Sequence, residues 1–277
     1  MKLLNGSELA GYIKERQARQ VRALKQAHSI EPRLAIVMTG DNPVIQVYVR
    51  LKQRYGEEIG VAVDIHHVPQ TEVRDLLNKL SNDDAIHAII VQLPLENPAE
   101  TDELVRLVPA GKDVDGLGQA PAFDPATPLA ILWLLSGYNI DLPGKDIVLV
   151  GRGKLVGAPL EKLLQASGLS PRVVEKETPD VPGEILKADI IISATGVPGL
   201  IKSDMVKQGA VVIDAGVASE GGKTVGDVAP EVLERDDLTI TPAKGGVGPL
   251  TVTALFENVI RAAQRVAESH SSQQSYF

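Results

Sequence analysis

Hydrophobic and polar positions follow two alternating periods along the chain, one typical of buried strands and one typical of amphipathic helices. Short apolar runs rich in Val and Ile are separated by longer segments in which apolar residues recur every three or four positions. This repeated β-α-β order predicts parallel sheets that are covered by helices on both faces. The predicted strands are 33–40, 61–68, 86–94, 142–151, 171–175, 188–196, 210–216 and 238–242.

The longer segments predict helices, and a stretch rich in Gly, Pro and Ala, 110–128, interrupts the alternation. We therefore predict two α/β domains, one covering residues 1–137 and the other residues 138–250. The C-terminal helix, 251–277, is expected to pack back on the first domain. Thr101 is expected to be the N-cap of its helix. The predicted helices are 43–59, 71–80, 101–108, 129–138 and 251–268.

Composition narrows the class of protein. A net charge of −8 and an aromatic content of 3% argue against a nucleic-acid groove. The sequence has no cysteine, which excludes disulfides and thiolate metal sites and fits a reducing cytoplasm. The N-terminus does not resemble a signal peptide, and no apolar stretch approaches the roughly 20 residues that span a bilayer. We therefore expect a soluble cytoplasmic protein without nucleic-acid or membrane partners.

A glycine turn is the first candidate for chemistry. The stretch "DIVLVGRGKLVGAPLEKLL" has the order strand, turn, helix, with Gly151, Gly153 and Gly157 in a G-x-G-x-x-x-G pattern. Glycines here let the backbone approach a pyrophosphate, which a helix N-terminus attracts. Two later strands end in "ATG" (194–196) and "DAG" (214–216). The pattern is one residue longer than the usual fingerprint, yet it predicts a dinucleotide at the carboxyl edge of the sheet.

The charged residues near this turn give conflicting predictions of which nicotinamide cofactor is bound. Arg152 in the turn and Lys176 after the next strand are suited to the 2′-phosphate of NADP. Glu175, however, stands 24 residues after Gly151, where an acidic side chain typically accepts the ribose hydroxyl of NAD. Glu175 and Lys176 are equally consistent with solvated surface charges, so these residues leave the choice open.

Four further stretches, in this order and spacing, resemble one family over nearly the whole chain. They are "DNPVIQVYVRLKQRYGEEIGV" (41–61), "VQLPL" (91–95), "KDVDG" (112–116) and "TPAKGGVGPLT" (241–251), with the glycine turn between the last two. The chain resembles the bifunctional methylenetetrahydrofolate dehydrogenase/methenyltetrahydrofolate cyclohydrolases. The resemblance implies an N-terminal α/β folate-binding domain and a C-terminal Rossmann-type NAD(P)-binding domain.

The resemblance also implies a reaction and its partners. A hydride passes from 5,10-methylenetetrahydrofolate to NADP, or less often to NAD, and water then opens the methenyl product to 10-formyltetrahydrofolate. These steps belong to one-carbon metabolism and supply purine biosynthesis. Neither step needs a metal, and the family implies a homodimer.

Lys52 is the candidate on which the hydrolytic step depends. It follows Tyr48 by one helical turn, at the edge of a predicted apolar stripe. The resemblance implies that Lys52 activates water, which requires a neutral amine and thus a pKa below the free value of about 10.4. A lysine whose methylenes merely follow apolar surface to water is the alternative. The predicted stripe consists of Val44, Tyr48, Leu51, Tyr55 and Ile59.

The same resemblance assigns the remaining site residues. Gln92 would position Lys52, and Asp115 would accept hydrogen bonds from the pterin of the folate. An amide at a strand end that satisfies loop backbone, and an Asp-Gly turn, are the alternatives. The implied substrate contacts are Tyr48, Lys52, Val91, Gln92, Leu93, Asp115, Gly248, Pro249 and Thr251. The implied cofactor contacts are Gly151, Arg152, Gly153, Gly157, Lys176, Thr195, Gly196 and Val217.

Some positions depart from the family pattern, and two other functions remain open. Ile45 stands where a small hydroxyl residue is common, Lys244 stands where proline is usual, and the segment 116–124 is short. A shikimate-type dehydrogenase of a small hydroxy or amino acid would share the two-lobed fold but leaves "GGVGPLT" unexplained. A non-catalytic regulator that senses NAD(P) would bind the nucleotide without turning over folate.

Overall fold

The computed structural model describes residues 1–220 and 223–274, and it divides into two compact units. The glycine-turn unit comprises Met1–Gly11 and Thr127–Thr251, and the Lys52 unit comprises Tyr12–Ala126 and the chain from Val252 onward. The helices are α1 Gly6–His28, α2 Pro43–Ile59, α3 Val73–Ser81, α4 Thr101–Val105, α5 Ala126–Gly137, α6 Gly157–Ala166, α7 Val181–Leu186, α8 Pro230–Leu233 and α9 Val247–Gln274. The strands are β1 Lys2–Leu3, β2 Arg33–Met38, β3 Ala62–His67, β4 Ala88–Val91, β5 Ile147–Val150, β6 Arg172–Val174, β7 Ile190–Ser193, β8 Val211–Asp214, β9 Ala218–Glu220, β10 Lys223–Val225 and β11 Thr239–Ile240.

The glycine-turn unit is built on a six-stranded parallel sheet in the order β1-β11-β8-β7-β5-β6. β5 and β7 consist entirely of buried residues, as expected for strands covered on both faces. The chain passes from β5 to β6 on one side and then returns to β7 on the other side. This reversal of strand order creates a topological switch point between β5 and β7, the place where doubly wound sheets bind ligands. β9 and β10 form a separate antiparallel pair.

The Lys52 unit contains a three-stranded parallel sheet in the order β3-β2-β4. The "KDVDG" segment extends this sheet, because Asp113 forms an isolated parallel bridge with Ile89 of β4. The Ile89 backbone N–H donates to the carbonyl of Lys112 at 2.8 Å. Asp113 thus lies beside β4, and Asp115 follows it by two residues. From α9, the side chains that are buried in this part of the chain include Phe256, Val259 and Ile260.

The structure confirms the predicted strands and their parallel α/β arrangement, and it corrects several details. Thr101 is not an N-cap: Asn97 caps a preceding 3₁₀ turn, Pro98–Glu100, that leads directly into α4. The last helix begins at Val247 rather than 251, so part of the "GGVGPLT" segment forms its first turn. Proline is compatible with that turn because the missing N–H has no helical partner there.

The two compact units do not follow the predicted domain limits at every point. Residues 127–137 and the first 11 residues group with the glycine-turn sheet. β1 explains the second difference, because Lys2 and Leu3 pair with β11 of that sheet. From Val252 onward, α9 groups with the Lys52 unit. Within residues 1–220 and 223–274, no helix combines the length and apolarity needed to cross a membrane.

Candidate active site

The glycine turn closes tightly on the neighbouring strand end. Gly151 has φ +91°, a conformation that favours glycine, and a Cβ on it would lie 2.8 Å from Cγ2 of Thr195. A Cβ on Gly157 would overlap the carbonyl oxygen of Gly151. Gly153 differs, because a Cβ there would meet no atom closer than 4.0 Å. The structure therefore brings Gly151, Gly157 and Thr195 together and leaves open space beside Gly153.

The surface beside this turn suits a nucleotide. The turn lies at the switch point of the sheet, and no described side chain caps the first turn of α6. Three large apolar side chains on the loops at this strand edge are exposed: Leu155 by 48%, Val197 by 50% and Val217 by 58%. These apolar side chains could contact the rings of a nucleotide, and the backbone N–H groups beside them could bind its phosphates. Val217 was predicted from the sequence, whereas Leu155 and Val197 were not.

One buried carboxylate and one half-buried carboxylate hold the neighbouring turns in place. Asp227 accepts hydrogen bonds from the Ser193 hydroxyl at 2.6 Å and from the Thr195 backbone N–H at 2.7 Å. Asp214 accepts hydrogen bonds from the backbone N–H groups of Gly216, Asp227 and Val228, each at 3.0 Å. Together they link the ends of β7 and β8 to the segment 226–228. We refer to Asp214 and Asp227 as the strand-end clasp.

Glycine is required on both sides of the clasp. A Cβ on Gly216 would overlap the carboxylate of Asp227, and a Cβ on Gly226 would overlap that of Asp214. Burial raises the pKa of Asp214, hydrogen bonds from Val228 and Asp227 oppose that rise, and the charge of Asp227 reinforces it. Oδ1 of Asp227 is buried and has no hydrogen-bond partner among the described residues. Asp214 begins the "DAG" stretch that the sequence had indicated, whereas no sequence motif had indicated Asp227.

The charged residues considered for cofactor choice lie on the surface of this unit. Arg152 donates from Nε to Oε2 of Glu161 on α6 at 2.7 Å. Glu175 and Lys176 are both exposed after β6, and the backbone N–H of Glu175 is bonded to the Thr178 hydroxyl at 2.9 Å. The structure therefore connects Arg152 with a residue that the sequence analysis had not singled out.

In the Lys52 unit, Lys52 lies closer to the buried face of α2 than the predicted apolar stripe implied. Ile45 and Val49 are buried to 4% and 3% exposure, and Gly56 is buried one turn further on. These positions flank Lys52 at helical spacings of three, four and seven. Leu51, by contrast, is 48% exposed, so its place in the buried stripe was wrong. The side chain of Val44, another predicted member, lies outside the described part of the chain.

Lys52 and Gln92 meet as predicted. The lysine Nζ donates to Oε1 of Gln92 at 2.8 Å. Gln92 is held in turn, because its Nε2 donates to the carbonyl of Leu93 at 3.0 Å and its backbone N–H donates to the carbonyl of Val37 at 2.8 Å. The amide thus presents a fixed acceptor to the lysine.

Burial and the charge of the other group shift the pKa values of Lys52 and Asp115. Burial lowers the pKa of Lys52, and the negative charge of Asp115 acts in the opposite direction. Burial raises the pKa of Asp115, and the charge of Lys52 lowers it. The two groups therefore lie close enough to influence each other, and the lysine amine is easier to deprotonate than a free lysine.

Two residues that position Asp115 were missed by the sequence analysis. Asp113, 3% exposed, accepts hydrogen bonds from the backbone N–H groups of Gly116, Leu117 and Gly118 and so folds the loop after Asp115. Asn258 of α9 donates to the carbonyls of Val114 and Asp124, both at 2.9 Å. Both residues are far from each other in sequence, so no local motif relates them.

The other predicted substrate contacts have mixed environments. Tyr48 is partly buried on the helix of Lys52, and Leu93 packs beside a core cluster. Val91 is 3% exposed inside the sheet. Gly248, Pro249 and Thr251 lie in the first turns of α9, within the glycine-turn unit. A Cβ on Gly248 would meet no atom within 4 Å, which leaves room beside that backbone.

A doubly wound sheet with a glycine turn at its switch point, in one chain with a second parallel α/β unit, is typical of nucleotide-binding α/β proteins. The family model of the tetrahydrofolate dehydrogenase/cyclohydrolase catalytic domain matches residues 4–115, and that of the NAD(P)-binding domain of the same family matches residues 125–267. The chain belongs to the tetrahydrofolate dehydrogenase/cyclohydrolase family. It is a bifunctional enzyme.

Individual relatives agree over nearly the full length. The bifunctional protein FolD of Campylobacter jejuni is 39% identical over 279 residues, covering 95% of this chain and 99% of that protein. A crystal structure of the Campylobacter jejuni dehydrogenase/cyclohydrolase matches with a TM-score of 0.90 and 38% identity, covering 96% and 99% of the two chains. The Trypanosoma brucei enzyme, complexed with NADP and an inhibitor, matches with a TM-score of 0.89 and 30% identity over 95% and 97%.

The shikimate-type alternative is not supported. A shikimate dehydrogenase from Thermus thermophilus matches at 14% identity with a TM-score of 0.55, over 84% of this chain and 98% of that chain. A match of this kind shows a shared fold only. It explains why a two-lobed dehydrogenase was a reasonable alternative from the sequence.

Proposed function

We propose that the chain oxidises 5,10-methylenetetrahydrofolate with NADP and hydrolyses the methenyl product to 10-formyltetrahydrofolate, and that Lys52 carries the hydrolytic step. The observation that carries this proposal is the hydrogen bond of 2.8 Å between Lys52 and Gln92 on a buried face of α2. A lysine in such a place is shielded from water on several sides and restrained by one acceptor. This arrangement differs from a lysine that follows apolar surface out to solvent.

The neutral form of Lys52 is the working form in this proposal. When water attacks the methenyl carbon, a proton must leave the attacking oxygen, and an unprotonated amine accepts it. Burial lowers the pKa of Lys52 and so raises the fraction of neutral amine at a given pH. Gln92 keeps the nitrogen in one position because the amide is itself held by two backbone groups.

Asp115 and Tyr48 bind the folate in this proposal. A carboxylate offers two acceptor oxygens, which match the amide and amino donors along one edge of a pterin. The loop that carries Asp115 is held by Asp113 and Asn258. Tyr48 lies one helical turn before Lys52 and offers an aromatic face and a hydroxyl.

The glycine-turn unit fits a nicotinamide dinucleotide. NADP, when bound, accepts the hydride. The backbone at Gly153 takes the pyrophosphate near the start of α6, because the structure leaves open space there, and Gly151 and Gly157 allow the turn to close tightly. Arg152 pairs with the 2′-phosphate, and the exposed Val197 and Val217 supply apolar contact for the rings. Thr195, Gly196 and Lys176 are the other proposed contacts.

We also propose that the enzyme works as a homodimer in the cytoplasm, as the family resemblance implies. The lack of cysteine fits a reducing compartment. Sedimentation or light scattering of the purified chain tests the dimer, since a mass of one chain would contradict it.

The decisive experiment follows both reactions in Lys52→Ala. Formation of NADPH from methylenetetrahydrofolate reports the oxidation, and loss of methenyltetrahydrofolate absorbance reports the hydrolysis. We expect hydrolysis to fall by about two to four orders of magnitude, the usual contribution of a general base. Lys79→Ala is the matched control, because Lys79 is an exposed lysine on α3 of the same unit. Hydrolysis at the unmodified rate in Lys52→Ala would exclude the assigned role.

A further inference from the structure

Arg152 is not free to act as an isolated positive charge. Its Nε donates to Glu161 at 2.7 Å, and the side chain of Glu161 is only 12% exposed while that of Arg152 is 54% exposed. Gln165 holds the other carboxylate oxygen, donating from Nε2 to Oε1 of Glu161 at 3.2 Å. The carboxylate of Glu161 is thus held more firmly than the guanidinium of Arg152, and it restrains the guanidinium on its Nε side.

This contact has two opposing effects on an anion that approaches Arg152. The guanidinium keeps its two terminal nitrogens, so it still offers a pair of donors to a phosphate. The carboxylate, however, places a negative charge within hydrogen-bond distance of the same guanidinium. A dianionic phosphate beside Arg152 would therefore meet both an attractive and a repulsive charge, separated by only a few ångströms.

We propose that Glu161 is a specificity-determining residue that weakens the preference for NADP over NAD by sharing the guanidinium of Arg152. The proposal rests on the assignment of Arg152 to the 2′-phosphate made above. NAD carries a hydroxyl in place of that phosphate, so the charge of Glu161 opposes the binding of NADP more strongly than that of NAD.

Glu161→Gln tests the proposal because it removes the charge and keeps both the size and an oxygen acceptor for Arg152. The measured quantity is the ratio of kcat/KM for NADP to kcat/KM for NAD. We expect this ratio to rise by about threefold to tenfold, as is typical of one partly exposed charge next to a bound ion. Glu231→Gln, which removes an exposed charge on α8 of the same unit, is the matched control and leaves the ratio unchanged.

A direct binding measurement removes any contribution from later steps. Titration of the protein with adenosine 2′,5′-bisphosphate and with AMP gives the share of affinity that depends on the 2′-phosphate. Glu161→Gln should tighten the binding of the bisphosphate by the same factor of about threefold to tenfold and leave AMP unaffected. An equal change for both ligands would overturn the proposal, because it would show a structural effect on the turn.

A double-mutant cycle separates this inference from the function on which it rests. In Arg152→Ala, the NADP-to-NAD ratio should fall, and adding Glu161→Gln to that variant should have a smaller effect than in the unmodified protein. Equal losses on both cofactors in Arg152→Ala would refute the assignment of Arg152. A selective loss of NADP in Arg152→Ala together with an unchanged or lower ratio in Glu161→Gln would refute the role of Glu161 alone.

Discussion

At the residue scale, Lys52 and Asp115 form a pair in which the charge of each group opposes the effect of burial on the pKa of the other. Burial favours the neutral form of both groups, whereas their mutual attraction favours the charged forms. The pKa of Lys52 therefore results from two opposing causes, of which burial is the larger. A substitution of one partner must therefore change the pKa of the other.

We predict that Asp115→Asn moves the pH dependence of hydrolysis to lower pH. The rate should rise with pH as Lys52 loses its proton, because the neutral amine is the active form. Removing the charge of Asp115 lowers the pKa of Lys52 further, so the midpoint of this rise falls. The measurement is kcat for methenyl hydrolysis against pH at saturating substrate.

Asp83→Asn provides the control for this pH profile. Asp83 is an exposed carboxylate of the same unit that lies just after α3, and its removal should leave the midpoint in place. A midpoint that moves to higher pH in Asp115→Asn would contradict the prediction. Weaker folate binding in this variant is expected as well, because one pterin acceptor is replaced by an amide donor.

At the scale of elements, the strand-end clasp determines where the turns after β7 and β8 lie. We predict that Gly216→Ala displaces the carboxylate of Asp227, because the added Cβ would overlap it. The Thr195 N–H and the Ser193 hydroxyl would then lose their acceptor, at about 1–3 kcal/mol of unfolding free energy. The affinity for NADP should fall by about tenfold, as measured by fluorescence titration.

Gly11→Ala is the matched control for this change. A Cβ on Gly11 of α1 meets no atom within 4 Å, and alanine favours helix by up to about 1 kcal/mol. NADP affinity should not change in this variant. If Gly216→Ala binds NADP as tightly as Gly11→Ala does, the strand-end clasp does not position the turns that are proposed to bind the cofactor.

Particular elements show what the sequence predicted and what it did not. β5 and β7 were found because runs of four apolar residues in β5 and three in β7, all of them buried, give a strong signal. β1 has two exposed residues and no periodicity, so its pairing with β11 depends on distant parts of the chain. Lys52 and Gln92 were recognised from motifs, whereas Asp227 and Glu161 act through contacts that no local pattern encodes.

At the scale of the whole molecule, α9 joins the two units covalently, because the division between them falls within it. The ring of Phe256 on α9 is fully buried, and its centroid lies 5.0 Å from that of Tyr55 on the helix of Lys52. The Tyr55 hydroxyl donates to Gln17 of α1 at 2.8 Å. Burial raises the pKa of Tyr55 to about 12, consistent with a neutral phenol in this contact.

We predict that Phe256→Ala destabilises the protein by about 3–5 kcal/mol, the usual cost of removing a buried aromatic ring. Denaturant unfolding followed by circular dichroism measures this loss. Tyr12→Ala is the control, because Tyr12 is 66% exposed and its removal should change stability by less than about 0.5 kcal/mol. Similar midpoints for the two variants would show that the contacts of Phe256 contribute little.

The pairing of β1 with β11 has a consequence for synthesis of the protein. After β1 is synthesised, its neighbour β11 follows only when more than 230 further residues have been added. At about 5–20 residues per second, a ribosome needs on the order of tens of seconds for that length. During this interval the nascent chain carries the edge strand of its nucleotide-binding sheet unpaired, so the sheet reaches its full width only after β11 has been synthesised.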